Sequence, residues 1–185
     1  MLASIPTLKT PRLCLREISK SDVNDIYAIF SDRNVTKFYD VSTMRKVKSA
    51  EKLIDWWSKR FQKKKAIRWG ITMPAISNRI IGTCGFSELD FIAGVAEIGV
   101  DIARLHWHQG IMKEALSAVL NYGFTTLNLS RIKTWIMAEN VYSIAGVKSL
   151  GFRNINETGS VFWQGKTHDI VYFVLDRNGY FTNHK

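Results

Sequence analysis

Alternating apolar and polar positions predict the first strand of the chain. In "RLCLREI", residues 12–18, the alternation is typical of a strand that buries one face. Longer apolar runs bounded by turn-forming residues predict further strands at 66–73, 79–89, 94–103 and 131–138. The segment 153–176 is predicted as a terminal hairpin around the turn "WQGKT".

Apolar residues at intervals of three and four predict four helices. The first follows Ser19 or Ser21, either of which can cap it, and Asp22 and Asp25 favour its first turn. The second covers 49–63 and the third about 109–126. A short fourth helix begins near Asn140 and is closed by Gly151 at a C-cap position.

The resulting order of elements is β-α-α-β-β-β-α-β-α-β-β. About seven strands and about four helices are expected, in an α/β fold with a mixed central sheet flanked by helices. The strand–helix–strand unit at 95–137 should place its two strands side by side and parallel, with a right-handed crossover.

The composition is that of a globular protein. The chain has 185 residues, of which 46% are hydrophobic, so residues 1–185 are predicted to form a single domain. No apolar run reaches the length of a membrane span, and the first residues lack the pattern of a secretory signal, so a cytoplasmic location is expected. Cys14 and Cys84 are expected to be reduced thiols, and no histidine–cysteine spacing predicts a metal site.

The net charge of +10 permits an anionic partner without choosing one. Much of the excess lies in "RKVKSAEKLIDWWSKRFQKKK", residues 45–65. One interpretation is the solvated face of an amphipathic helix. The other is a surface that faces a phosphate or an acidic substrate.

The segment "LHWHQGIMKEALSAVLNYGF", residues 105–124, carries the first chemical signal. It follows a strand and opens a helix, whose first N–H groups form a natural anion site. Gly110 permits a tight turn, main-chain N–H groups from about His108 to Lys113 could converge on a pyrophosphate, and Lys113 could add charge. Neither the "GK[ST]" of a Walker loop nor "GxGxxG" is present, so an ordinary strand–helix turn is the alternative.

Several motifs in order resemble the GNAT superfamily of N-acetyltransferases. They are "TPRLCLRE", "IIGTCGF", "AEIGVDI", "WHQGIMKEAL", "LNLSRIKTWIMAENVYS" and "SLGF", and the resemblance spans about residues 10–175. It is greatest to the branch that acetylates ribosomal-protein N-termini and related small substrates. The resemblance implies the GNAT fold with a splayed parallel strand pair, and acetyl-CoA as the acetyl donor.

The resemblance also implies which residues hold the coenzyme. The loop would bind the pyrophosphate, and unpaired backbone groups of the "EIGVDI" strand would bind the pantetheine arm. The implied residues are Val100, Asp101, Ile102, His108, Gln109, Gly110, Ile111, Met112, Lys113, Asn140 and Ser143.

His108 departs from the family pattern, which has glycine at this point of the loop. Two outcomes are open. Either His108 takes an ordinary φ and points to solvent, or its ring contacts a phosphate.

Amine acetylation needs a proton acceptor, an oxyanion donor and a proton donor for the thiolate. Glu97 resembles the general base of several family members, and alternation places it on one strand face with Gly99 and Asp101. A salt bridge is the alternative role for Glu97, and Glu88 and Asp90 are weaker base candidates. A backbone N–H near Val100 is the expected oxyanion donor.

The acid of many relatives, a tyrosine, is missing, because Val147 occupies its position. The resemblance instead assigns the proton relay to Ser143, in the pattern "NVYS" that begins at Asn140. Asn140 could bond the pantetheine arm, cap the helix, or do both. Tyr142 should point away from Ser143, and His106 and His168 are expected to be non-catalytic.

The acceptor is expected between the helices of 24–65 and the terminal hairpin. Aromatic residues of that region are Phe38, Tyr39, Trp56, Trp57, Trp69, Phe86, Phe162 and Trp163, and most should belong to the core.

The predicted activity is direct attack by a primary amine, either a protein N-terminus such as that of a ribosomal protein or a small amine. A non-catalytic acyl-CoA-binding module is the alternative. A membrane partner is not expected, nucleic acid is expected only through a ribosomal substrate, and the chain should be a monomer or a homodimer.

Overall fold

The computed structural model describes residues 4–38 and 41–183, and its centre is one eight-stranded sheet. The strands follow the order β1-β2-β3-β4-β5-β6-β8-β7 across the sheet. They are β1 Leu8–Lys9, β2 Cys14–Glu17, β3 Ile67–Met73, β4 Ser77–Asp90, β5 Val95–Ile102, β6 Arg131–Met137, β7 Arg153–Trp163 and β8 Lys166–Asp176. Among these eight described strands, β5 and β6 pair in parallel and the other neighbours are antiparallel.

Within residues 4–38 and 41–183, six α-helices cover the two faces of the sheet. They are α1 Val23–Phe30, α2 Arg33–Thr36, α3 Val47–Gln62, α4 Ile111–Thr125, α5 Val141–Ser149 and α6 Arg177–Asn183. The larger core lies between the sheet and α4, α5 and α6, and a second core lies under α1 and α3. Among the described residues, no helix is long and apolar enough to cross a bilayer.

The mixed α/β sheet with its parallel pair confirms the predicted architecture, with eight strands where about seven were expected. The additional strand is β1, whose two residues pair with Cys14 and Leu15. Two residues are too short to carry a periodic signal. Of the two additional helices, α2 has four residues and α6 contains Asn178 and Gly179, which favour turns.

Local signals set several of the observed boundaries. Ser19 and Asp22 form a capping box before α1, in which the Ser19 N–H donates to the Asp22 carboxylate at 2.8 Å. Leu150 is the C-cap of α5, and Gly151, which was predicted at the C-cap, follows it with a φ of 89° that closes the helix. Gln164 and Gly165 both have positive φ, which is the geometry of a two-residue hairpin turn between β7 and β8.

Both cysteines are free thiols, as predicted. Cys84 is fully buried in β4, and this burial raises the pKa of its thiol to about 12. Such a thiol stays protonated at neutral pH and is a poor nucleophile.

A buried ion pair joins three adjacent strands of the sheet. The guanidinium of Arg68 on β3 bonds the Asp101 carboxylate on β5, and both side chains are at most 4% exposed. Between them, Thr83 of β4 accepts from Arg68 Nη2 at 2.8 Å and donates to Asp101 at 3.2 Å. The ring of Trp57 on α3 lies 5.5 Å from the guanidinium carbon, so the pair also meets the helical layer.

Replacing Asp101 by Asn should destabilise the chain by about 3–5 kcal/mol, because it leaves the buried Arg68 charge without its counterion. Arg131→Gln, which breaks the exposed pair with Asp176, is the control and should cost less than about 1 kcal/mol. The free energy of unfolding, measured by urea titration, distinguishes the two. Equal losses in both variants would contradict the structural role of the buried pair.

Candidate active site

The parallel pairing of β5 with β6 ends halfway along the two strands. Only three residue pairs are in register, and the last of them is Glu97 with Lys133. Beyond this point β5 stays paired with β4 as far as Ile102, and β6 stays paired with β8 as far as Met137. The two strands therefore diverge and leave a gap, which we call the splay, that opens toward their carboxyl ends.

Backbone direction decides which groups of β5 face the splay. The Ala103 N–H donates to the carbonyl of Ile81 on β4, and the Asp101 carbonyl points at Gly82 of the same strand. Because successive residues of a strand point to opposite sides, the N–H and C=O of Val100 and the N–H of Ile102 point into the splay. Asp101 differs, since its backbone faces β4 and its carboxylate is paired with Arg68. Of the three residues predicted to bind pantetheine here, Val100 and Ile102 face the splay and Asp101 does not.

The segment between β5 and α4 folds back on itself through its own side chains. The Trp107 indole donates to the Ile102 carbonyl at 2.7 Å, and the Gln109 amide donates to the Leu105 carbonyl at 3.0 Å. Gly110 has a φ of 74° and immediately precedes the helix. The N–H groups of Ile111, Met112 and Lys113 then belong to the first helical turn, where an α-helix offers no internal acceptor. The predicted pyrophosphate loop therefore has the backbone geometry of an anion site.

His108 does not take the ordinary φ that was one of its two predicted outcomes. Its φ is 60°, in the left-handed region that favours glycine. His108 therefore adopts the backbone conformation typical of the glycine that the family has at this position, although it carries a β-carbon. The imidazole packs edge-on against the Tyr142 ring, with 5.4 Å between the ring centroids. Tyr142 belongs to the first turn of α5, so this contact joins the loop to the helix that carries Ser143.

Arg12 holds the loop and was not predicted as a site residue. Its Nε and backbone N–H both donate to the Glu114 carboxylate, at 2.6 and 2.9 Å, and its Nη1 donates to the Gln109 carbonyl at 3.0 Å. Thr10 donates to the same carboxylate at 2.5 Å. Arg12 lies in the quoted motif "TPRLCLRE", but its partners lie about a hundred residues away, and spacing cannot reveal them.

The hydrogen bonds to Glu114 keep its carboxylate charged. Partial burial alone would raise the pKa of Glu114, but the bonds from Thr10 and Arg12 outweigh it and hold this pKa below its usual value. The stabilisation from the ionised carboxylate is thus present above the pKa of an unfolded glutamate. It is lost as the pH falls through the lower pKa of the folded chain.

Asn140 caps α5, one of the two roles predicted for it. Its side-chain oxygen accepts from the Ser143 N–H at 3.3 Å. Ser143 is half-buried in the first turn of α5, at the edge of the sheet where β5 and β6 both end. Met112 of α4 lies so close to Gly146 that a β-carbon there would be 1.9 Å from its methyl carbon, so α4 and α5 are in direct contact.

Glu97 stands at the closed end of the splay. It is half-buried, and its carboxylate accepts from the Ser87 hydroxyl at 3.2 Å. Strand alternation places it on the same sheet face as Asp101, the face that α3 covers. Glu88, the weaker base candidate, lies opposite Glu97 in the β4–β5 register and is bonded to Arg60 at 2.7 Å. Asp90 accepts from two backbone N–H groups of the β4–β5 turn.

The expected acceptor side is bounded by the hairpin tip and α2. The Gln164 amide donates to the Thr36 carbonyl at 3.3 Å, which brings the β7–β8 turn onto the helical layer.

His168 is buried with its Nδ1 3.2 Å from Glu139, and Lys166 contacts the same carboxylate. Trp57, Trp69 and Phe86 belong to the core, whereas Trp56 and Phe162 are exposed. Tyr39 lies outside the described residues.

Comparison with known proteins identifies a matching family model and related sequences. A model of the acetyltransferase (GNAT) domain matches residues 12–153. An uncharacterized N-acetyltransferase of Bacillus subtilis (strain 168), YoaA, is 35% identical over 162 residues, covering 88% of this chain and 91% of its own length.

Two solved structures share the fold. Spermidine N-acetyltransferase from Vibrio cholerae, in complex with CoA and spermine, has a TM-score of 0.79 at 23% identity and covers 93% of this chain and 99% of its own. A provisionally named ribosomal-protein-serine acetyltransferase from Vibrio cholerae has a TM-score of 0.79 at 21% identity, covering 95% and 99% of the two chains. With a family model over most of its length and a relative above 30% identity, the chain belongs to the GNAT family of acetyltransferases.

Proposed function

We propose that this acetyltransferase moves the acetyl group of acetyl-CoA to the primary amine of a protein N-terminus, such as that of a ribosomal protein, by direct attack. The observation that carries the proposal is the splay, because it leaves backbone groups of β5 unpaired beside a helix N-terminus suited to phosphate. One groove thus offers polar groups for both the pantetheine arm and the pyrophosphate of acetyl-CoA.

The loop residues 108–113 would hold the pyrophosphate mainly through backbone N–H groups. Arg12 supports this role, since its contacts with Gln109 and Glu114 fix the loop against the start of α4. Lys113 is exposed in the first helical turn and adds positive charge. The His108 ring rests on Tyr142, so we assign His108 a backbone contact rather than a side-chain contact.

The Val100 N–H would stabilise the negative charge that develops on the thioester oxygen. It points into the splay and has no partner on β6 in the observed register. A fixed backbone donor that faces developing charge needs no reorganisation during the reaction.

Glu97 would accept the proton of the attacking amine. Glu97 and Val100 are three positions apart on the strand, a distance of about 10 Å, so the transfer would run through a bridging water. Ser143 would donate a hydrogen bond to the departing thiolate from the first turn of α5. Because a serine hydroxyl is a weak acid, its contribution is mainly that bond.

Direct attack is favoured over an acyl-enzyme because neither cysteine suits the role of carrier. The thiol of Cys84 is buried, with its pKa raised to about 12. Cys14 lies on β2, three strands from β5 in the sheet order.

Acidic side chains near the splay are already paired with arginines, which favours a protein N-terminus over a polyamine as the acceptor. Asp101 is neutralised by the buried Arg68, and Glu88 is paired with Arg60. A polyamine carries several positive charges and would need several uncompensated carboxylates. A single N-terminal amine needs only one proton acceptor, the role proposed for Glu97.

Gly110→Val should weaken acetyl-CoA binding by about tenfold or more, because a β-branched residue is strained at a φ of 74° and the loop N–H groups would be displaced. Gly165→Val imposes similar backbone strain at a φ of 86° in the β7–β8 turn and is the matched control. Isothermal titration calorimetry measures both affinities. If Gly110→Val binds as tightly as Gly165→Val, the loop is not the pyrophosphate site.

Glu97→Gln should lower kcat at neutral pH by a factor of about 10²–10⁴ with little change in acetyl-CoA affinity, because the amide cannot accept the amine proton. Glu88→Gln, on the adjacent strand, should retain most of the rate. Thiol release with peptide N-termini, amino acids, aminoglycosides and polyamines reports the rates and the preferred acceptor. Absence of turnover with every amine, despite acetyl-CoA binding, would instead favour a non-catalytic acyl-CoA-binding module.

His108→Gly should be about 1 kcal/mol more stable than His108→Ala, since both lose the ring contact but only alanine keeps the left-handed strain. Acetyl-CoA affinity should stay within about threefold of wild type in both, because the backbone donors remain. Thermal unfolding and calorimetry provide the two measurements. A large loss of affinity in both variants would mean that the imidazole itself contacts the coenzyme.

A further inference from the structure

Four lysines form a stripe along the outer side of α3. Lys48, Lys52, Lys59 and the C-cap residue Lys63 are exposed, and they fall within about 60° of the helix circumference. The buried residues of the same helix, among them Ala50, Ile54 and Trp57, lie on the opposite side. The stripe runs for about 22 Å, the rise of fifteen helical residues.

The four lysines of this stripe outnumber the acidic residues of α3, which are Glu51 and Asp55. Over residues 4–38 and 41–183, none of the four lysines forms an ion pair. Asp55, which falls between them on the same side, lies 3.8 Å from Lys20 instead. Lys48 with Lys52, and Lys59 with Lys63, are like charges four residues apart, which destabilises a helix by a few tenths of a kcal/mol per pair. An arrangement that costs stability in the free chain fits a surface that meets negative charge.

An exposed aromatic ring and a cavity with three basic residues in its lining lie beside the stripe. Trp56 is 48% exposed, and the Arg60 guanidinium carbon lies 5.0 Å from the centre of its ring. A cavity of about 540 Å³ at the start of α3 is lined by Arg45, Lys46, Lys52 and Trp56, together with apolar and hydroxyl side chains such as Met44 and Leu53. Basic side chains that follow a line, together with an exposed aromatic ring, are the features with which proteins hold single-stranded nucleic acid.

We propose that the lysine stripe and Trp56 form a docking surface for RNA. A repeating anion matches a row of lysines, and an unpaired base can stack on an exposed indole. A membrane surface is a poorer fit, because Val47 and Trp56 are the only large apolar side chains exposed on the described helix α3, and the stripe itself consists of lysines. The sequence predicted contact with nucleic acid only through a ribosomal substrate, whereas the stripe indicates direct contact with RNA.

The inference goes beyond acetyl transfer and does not depend on it. The lysine stripe is separate from the splay and from the loop 108–113. Helix α3 covers the sheet face that carries Glu97, however, so RNA docked there would bring an attached protein to the acceptor side. A ribonucleoprotein particle is the class of partner that offers both RNA and protein N-termini.

Binding of a fluorescein-labelled single-stranded RNA, followed by anisotropy at several salt concentrations, tests the proposal. Each phosphate neutralised contributes about 0.7 to the slope of log K against log salt for single strands. Replacing all four lysines of the stripe by Gln should therefore reduce the slope by about 3. Trp56→Ala should weaken binding with little change in slope, because it removes stacking and no charge.

Matched controls separate this surface from general basicity. K48Q/K52Q should reduce RNA affinity and slope, whereas K9Q/R153Q removes two positive charges on β1 and β7 and should change neither. Acetyl-CoA affinity, measured in parallel, should be that of wild type in every variant, which shows that the chain is folded. Equal effects of the two double variants would overturn the proposal. Equally tight binding to polyglutamate, or tighter binding to phosphatidylserine vesicles, would do the same.

Discussion

The parallel pairing that stops at Glu97 and Lys133 is the constraint on which the rest of the structure depends. Each strand is held on its other side, β5 by β4 and β6 by β8, so the splay cannot close by a shift of either strand alone. The N–H and C=O of Val100 and the N–H of Ile102 point into the splay and have no partner on β6, so they are available to a molecule that can bond with them. The family's donor, acetyl-CoA, carries amide groups along its pantetheine arm that suit this edge.

Contacts between distant parts of the chain keep the two sides of the splay in place. On one side, Arg68 and Asp101 tie β3 to β5 through a buried ion pair, with Thr83 of β4 between them. At the open end of the splay, an ion pair between Arg12 and Glu114 holds the start of α4. The His108 ring packs against Tyr142 on α5. The loop and the first turn of α5 are thereby positioned by packing and charge rather than by local propensity.

Periodicity and turn residues predicted the long strands, the longer helices and the parallel unit, because these signals are local. Gly110, the Asn140 cap and the hairpin at Gln164 and Gly165 were recognisable for the same reason. Strand β1 and helices α2 and α6 were missed, since their short sequences hold no repeating apolar face. The bonds of Arg12 with Gln109 and Glu114 could not be predicted, because these partners lie about a hundred residues away in sequence. The pairing of Asp101 with Arg68 could not be predicted either, because no sequence pattern shows which edge of β5 borders the splay.

Hydrogen–deuterium exchange of the full chain, with and without acetyl-CoA, tests the central claim that the splay and the adjoining loop together hold the coenzyme. The account predicts slower exchange for the amides of Val100 and Ile102 and for those of residues 111–113, because these N–H groups would gain acceptors. The Asp101 amide, which faces β4, should change little and serves as an internal reference. Unchanged exchange at both segments, under conditions where calorimetry shows acetyl-CoA to be bound, would contradict the account.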